Sequence, residues 1–155
     1  MRAYEKIVET AIRRAIESKD ANLLGKIAWF AEAVTEEGFI TDGPFNWPVD
    51  RVLSAIGEEA ACKEMAVLLA KQGLEDPVID EAVEFEELTA GYFCTIPNDQ
   101  DAKRFYIAVA EFLFQHADEA ELSDRSIEQF TVETLEFLAE PGEECLEEFV
   151  KMLES

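Results

Sequence analysis

Carboxylates are the reactive side chains that occur in the greatest number in this sequence, and acid–base catalysis is the chemistry that pairs of them can perform. The 155 residues include 35 Asp and Glu against 13 Lys and Arg. A glycosidase-type acid and base need two carboxyl groups whose different burial separates their pKa values. Adjacent pairs such as Glu86/Glu87 and Glu143/Glu144 recur along the chain. Their abundance singles out no pair for catalysis.

Histidine occurs once, at position 116, which leaves little room for a catalytic triad and excludes multi-histidine metal centres. With Leu113 and Phe114 close by, His116 is interpreted as a partly buried structural residue. Di-iron helix pairs need Glu-x-x-His spacing, whereas Glu111 precedes His116 by five residues. A glycine-rich phosphate loop is also missing from the sequence. We therefore predict a protein that is not an enzyme and uses no metal or cofactor.

The acids recur at helical spacings, which suits a charged face better than a catalytic pair. Like charges three or four residues apart destabilise a helix by about 0.2–0.5 kcal/mol per pair. A surface that served only solubility would intersperse lysines among its acids. We interpret these runs as candidate partner-binding residues, with a solvated face as the alternative. They are Glu84, Glu87, Glu133, Glu136, Glu140, Glu143, Glu144, Glu147 and Glu148.

A second candidate is the loop at residues 38–48, which carries Phe45 and Trp47 between prolines at 44 and 48. A stiff loop loses less entropy on docking, and tryptophan is frequent among residues that dominate binding energy. An exposed Trp47 would therefore anchor a partner, and we include it among the candidate partner-binding residues. The alternative, which we favour, is that Phe45 and Trp47 fold back into the core.

Helices must position these residues, because the apolar pattern follows a period of 3.6 residues. Asp20 is expected to cap the second helix and Ser123 the seventh. Residues 91–97 alone have strand-like composition, and we interpret them as an extended linker. The expected helices cover about 4–16, 20–34, 48–56, 60–72, 76–88, 99–116, 123–140 and 141–154. The predicted fold is all-α: one compact irregular bundle of about eight helices, joined by short loops, in a single domain over residues 1–155.

Charge and composition limit the partners. The net charge of −22 repels phosphate, so direct binding to nucleic acid or to an anionic membrane is not expected. No apolar run approaches a membrane span, and the N-terminus lacks the apolar region of a signal peptide. Three widely spaced cysteines indicate reduced thiols in a cytoplasmic protein. Eleven phenylalanines indicate a folded core rather than an acidic disordered tail.

The charge is unevenly distributed along the chain. Residues 1–26 carry a net +2, whereas residues 27–104 and 105–155 carry −12 each. Averaged over a surface of roughly 7,900 Å² expected for this mass, the density is about a third of that of duplex DNA. Imitation of nucleic acid therefore requires acids concentrated on one face, first of all on the last two helices. The basic first helix could also pair with an acidic face of a second copy, which makes a homodimer possible.

In size, acidity and lack of catalytic residues the chain resembles DNA-mimic inhibitors, including anti-restriction and anti-CRISPR proteins of phages and mobile elements. The resemblance lies in composition and size alone, and it implies no site residues. It implies a small non-enzymatic inhibitor that binds the basic surface of a nucleic-acid-handling protein. The alternatives are an immunity protein for a basic nuclease toxin and an acidic secretion chaperone or adaptor, which would expose an apolar groove.

Overall fold

Seven α-helices and no strand lie within the part of the chain that the computed structural model describes. That part comprises residues 2–35, 45–74, 84, 85, 88, 99–139 and 143–154. The helices are α1 (Arg2–Glu17), α2 (Ala21–Thr35), α3 (Asn46–Ile56), α4 (Glu58–Lys71), α5 (Asp99–Gln115), α6 (Asp124–Ala139) and α7 (Glu143–Glu154). The predicted all-α fold class is confirmed, with a helix count close to the predicted eight.

The helix expected over 76–88 falls mostly outside the described residues. Phe85 and Leu88 are helical, and the Leu88 backbone N–H donates a hydrogen bond of 3.1 Å to the Glu84 carbonyl. This is the i to i−4 bond of an α-helix. Residues 91–97 and residues 38–44 of the predicted loop also lie outside the described residues.

The helix ends follow the capping signals of the sequence, with one difference. The Oδ1 atom of Asp20 accepts a hydrogen bond of 3.1 Å from the backbone N–H three residues later, as predicted. Gly57, with φ of 89°, separates α3 from α4, in a conformation that glycine adopts at little cost. Helix α6 begins directly after Ser123, but the capping hydroxyl belongs to Ser126. Its Oγ accepts from the Ser123 N–H at 3.0 Å and donates to the Ser123 carbonyl at 2.9 Å.

Helices α2 and α5 form the most extensive helix pair, and Gly25 allows their close approach. A Cβ atom added to Gly25 would lie 2.6 Å from the Cα of Ile107 on α5. Helix α2 also contacts α1, α6 and α7, while α5 contacts α4. One apolar core runs through all seven helices. Its largest fully buried side chains include Phe45, Phe85, Phe105, Phe112, Phe130 and Phe149.

The molecule is compact, with an accessible surface of 8316 Å², close to the value that scaling with mass predicts. Shared among 22 net charges, this surface gives about one charge per 380 Å². This average charge density is therefore too low for nucleic-acid mimicry, which depends on the local arrangement of the acids. None of the helices in the described residues is both long and apolar enough to cross a bilayer.

Candidate partner interface

Helix α6 presents a group of acids around an exposed apolar side chain. Five of its residues line a shallow cavity of about 470 Å³, and we call them the acidic ridge. They are Glu128, Gln129, Val132, Glu133 and Glu136. Val132 is 49% exposed, whereas most of the other large apolar side chains of the described chain are covered. Charge and apolar surface therefore occur together at the ridge, as they do at many protein interfaces.

The surroundings of Glu133, a member of the ridge, change the acidity of its carboxyl group. Burial raises its pKa above the ordinary value, the charge of Glu136 raises it further, and the indole N–H of Trp47 lowers it. No hydrogen bond of normal geometry joins the indole to the carboxylate. Nε1 of Trp47 and Oε2 of Glu133 are both buried without a partner among the described residues. The ionised carboxylate is therefore under-solvated and would gain from a donor or a cation.

Trp47 supports the ridge from α3. Its ring contacts that of Phe130 edge-on, with centroids 5.0 Å apart, and the Arg51 guanidinium lies 5.6 Å from the indole centroid. Arg51 also forms an ion pair of 2.5 Å with Glu121. Phe45 is fully buried, and Trp47 is partly buried. The favoured prediction that both rings fold back is thus confirmed for Phe45, while Trp47 packs beside the ridge without projecting from it.

The acidic surface continues from the ridge toward the turn before α6. Gln129 lines both the ridge cavity and a polar cavity of about 370 Å³, which Asp118 and Glu121 also line. Residues 118–136 hold seven acids and one base, for a net charge of −6. The sequence thus concentrates more than a quarter of the net charge in 19 residues, and the fold places several of these acids side by side.

The other predicted partner-binding residues do not all join this surface. Glu147 and Glu148 are exposed on α7, which packs against α6. Glu84 is exposed, but its neighbour Phe85 stacks on α5 and no described contact brings it to the ridge. Glu143 and Glu144 belong to α7, and their side chains are not described. Glu87 and Glu140 lie outside the described residues.

His116 lies at the end of α5 and is only 16% exposed in its side chain. Its Nε2 lies 2.5 Å from Oε2 of Glu64 on α4, and its Nδ1 lies 4.0 Å from Oε2 of Glu119. The ring also contacts Phe112 edge-on. These contacts join α4 to α5 and fit the predicted structural role of the histidine.

A groove between α1 and α7 was not predicted from the sequence. It has a volume of about 540 Å³ and an apolar floor with cations along one side, and we call it the basic groove. Its lining includes Lys6, Ile7, Ala11, Arg14, Leu23, Val150 and Leu153. The sequence feature that could have indicated this groove is the width of the apolar stripe on α1. Val8 and Ile12 are fully buried, whereas Ile7, at the edge of the stripe, remains 41% exposed.

Within the described residues, no three His, Cys, Asp or Glu side chains are grouped so that they could hold a metal ion. Cys62 is buried on α4, and the side chains of Cys94 and Cys145 are not described. Comparison with models of protein families, with curated proteins and with solved structures gives no match.

Proposed function

We propose that the protein is a small acidic inhibitor that binds the basic surface of a nucleic-acid-handling protein through the acidic ridge. The observation that carries the proposal is the clustering of Glu128, Glu133 and Glu136 around the exposed Val132. An average of one charge per 380 Å² would serve solubility alone. Acids gathered around an apolar centre supply both electrostatic steering and a contact that excludes water.

Four members of the ridge have distinct parts in this proposal. The exposed carboxylates of Glu128 and Glu136 attract and orient a cationic surface. Val132 supplies apolar contact area. Glu133 adds its charge beside the apolar centre, although its Oε2 atom is buried and faces the protein. Trp47 holds the Glu133 side of the ridge rigid by packing on Phe130.

The test is affinity capture from a lysate with three forms of the protein, at about 50 mM and at about 500 mM salt. The higher concentration shortens the distance over which charges act. The ridge variant is Glu128→Gln with Glu136→Gln. The matched control is Glu58→Gln with Glu59→Gln on α4, which changes the net charge equally on two exposed side chains. We expect the wild type and the control to retain a basic nucleic-acid-binding protein at low salt only, and the ridge variant to lose it. Retention of the same protein by the ridge variant, or at both salt concentrations, would contradict the proposal.

The adaptor function is a second candidate, and the basic groove is the observation that favours it. A chaperone or adaptor must expose an apolar surface that receives its partner, and the groove leaves Ile7 41% exposed on such a surface. Binding of an environment-sensitive dye to the wild type, and its loss on Thr10→Trp, which fills the groove, would support this function. Thr10 lines the groove and is exposed. Dye binding without affinity for any basic protein would favour the adaptor over the inhibitor.

A further inference from the structure

The basic groove combines an apolar floor with two cations, Lys6 and Arg14, that form no ion pair within the described residues. Asp20 lines an adjoining cavity together with Arg14. Ala11, Leu23 and Leu153 are partly buried and pack against the core, so the floor is a continuation of it. Ile7 completes the floor and is more exposed than any of these. Solvent therefore covers this apolar surface, and replacement of the water by another apolar surface would lower the free energy.

Two exposed cations, Lys6 and Arg14, stand on the α1 side of this floor. Neither forms an ion pair with another residue in the described part of the chain. The contrast with the adjacent Arg13 is direct, because Arg13 lies 3.3 Å from Glu9 and 3.8 Å from Glu17 on the same helix. Helix α1 thus pairs Arg13 with two of its own acids, whereas Lys6 and Arg14 have no ion pair among the residues that the structure describes.

The spacing of these cations defines what they can bind. Arg14 lies eight positions after Lys6, which places the two residues about 12 Å apart along the axis of α1. A third cation, Lys26 of α2, lines an adjoining cavity of about 180 Å³ that shares Arg14, Leu23 and Leu153 with the groove. A single small anion could not bridge Lys6 and Arg14 at this separation. A helix with acids seven or eight residues apart could satisfy two at once.

We infer that the basic groove docks an amphipathic helix of a partner protein, with acidic side chains two helical turns apart and apolar side chains between them. Such a helix would place its apolar face over Ile7 and Leu153 and its acids against Lys6 and Arg14. This is helix-in-groove recognition, in which residues at i, i+3, i+4 and i+7 provide the anchors. The inference deepens the adaptor function and does not require the acidic ridge to bind anything.

The charge distribution supports an acidic occupant. Residues 1–26 have a net charge of +2 in a chain of −22, so the groove lies against the one mildly basic segment. A cationic helix would meet Lys6 and Arg14 at contact distance, and like charges there would oppose its docking. An acidic helix is repelled by the rest of the molecule at long range, but this repulsion is screened at physiological salt, where the Debye length is about 8 Å.

The test uses a library of displayed helical peptides with randomised outward-facing positions, selected against the full-length protein. We expect enriched peptides to carry two acids seven or eight residues apart with apolar residues between them. The most enriched peptide is then synthesised and titrated by fluorescence anisotropy. Lys6→Glu with Arg14→Glu should weaken its binding about tenfold or more, because two attractive pairs become repulsive. Thr10→Trp, which fills the groove without a change in charge, should also weaken it.

The matched control is Lys63→Glu with Lys71→Glu, an equal change in net charge on exposed side chains of α4. It should leave the affinity of the peptide within about twofold of the wild type. No enrichment, enrichment of peptides without paired acids, or equal weakening by the control would overturn the inference. Sedimentation of the free protein provides a separate criterion. Dimers that dissociate on Lys6→Glu with Arg14→Glu would mean that the groove receives a second copy of this chain, which would also overturn it.

Discussion

The acidic ridge and the basic groove are built in the same way with opposite charges. At the ridge, carboxylates surround the exposed Val132 on α6. At the groove, Lys6 and Arg14 stand beside the exposed Ile7 on α1. Each surface combines charged side chains with exposed apolar area. At an interface the charges orient the partner, and the buried apolar area stabilises the complex.

The difference between them shows why the net charge of a protein does not describe its surfaces. A charge of −22 suggests a molecule that repels every acidic partner. The fold nevertheless places α1 against both α6 and α7, so the mildly basic first helix borders a groove of its own. We therefore expect two surfaces that select partners of opposite charge and that respond differently to substitutions and to salt.

The largest effect is expected where the scaffold of both surfaces is disturbed. In Gly25→Ala, the new Cβ would lie 2.6 Å from a backbone atom of α5, which cannot rotate away. We expect a loss of about 1–3 kcal/mol in the free energy of unfolding, even after the gain in helix propensity of alanine. Urea titration followed by circular dichroism measures it. Ser54→Ala on the exposed side of α3 is the control, and a Gly25→Ala protein as stable as this control would contradict the packing argument.

The second effect separates the two surfaces by their response to salt. Affinity of the ridge for a basic partner should fall at least about tenfold between about 50 mM and about 500 mM salt. Affinity of the groove for an acidic helix should change much less, because salt screens both its contact pairs and the opposing repulsion from the rest of the molecule. Equal slopes of log affinity against log salt for the two ligands would show that the surfaces are not electrically distinct.

The third effect concerns Glu133, whose pKa is raised by burial and by Glu136. The folded protein binds the carboxyl proton of Glu133 more tightly than the unfolded chain does. The free energy of unfolding should therefore fall as the pH rises through the raised pKa. Glu133→Gln removes the cost of the buried charge. It should stabilise the protein at pH 7 by up to about 1 kcal/mol, a value limited by the partial exposure of the carboxylate.

This stabilisation should disappear well below the ordinary glutamate pKa of about 4.3, where the carboxyl is protonated in both states. Chemical denaturation at several pH values measures the profile. Glu128→Gln, which alters an exposed carboxylate of the same ridge, should reproduce little of it. A Glu133→Gln protein less stable than the wild type at pH 7 would show that the ionised carboxylate has a stabilising partner.

The smallest effect is expected at Arg51, the cation that approaches the ridge from α3. Arg51→Ala removes an exposed ion pair with Glu121 and a contact with the Trp47 ring, so stability should fall by about 0.5 kcal/mol. The acidic surface becomes one charge more negative, and association with a basic partner should become faster. Stopped-flow mixing measures this rate, with Lys63→Ala on α4 as the control. A slower rate in Arg51→Ala would mean that Arg51 itself contacts the partner.

Local patterns predicted the helices well, because capping residues and apolar periodicity act within a few residues. The Asp20 cap and the break at Gly57 are such features. The spacing of acids also placed Glu133 and Glu136 together on one helix. The approach of Trp47 to Glu133 could not be predicted, since it joins residues 86 positions apart through the contact of the Trp47 ring with α6. The basic groove was missed for the same reason, because α7 provides one of its walls.

As an inhibitor, the protein would cover with its acidic ridge the surface on which the partner binds nucleic acid. The most direct measurement is the displacement of fluorescent duplex DNA from the basic protein that the wild type captures. Increasing amounts of the wild type and of the Glu58→Gln with Glu59→Gln control should release the DNA to the same extent. The Glu128→Gln with Glu136→Gln variant should require about tenfold more protein. Binding of the wild type to the DNA-loaded partner without release of DNA would contradict the proposed inhibition.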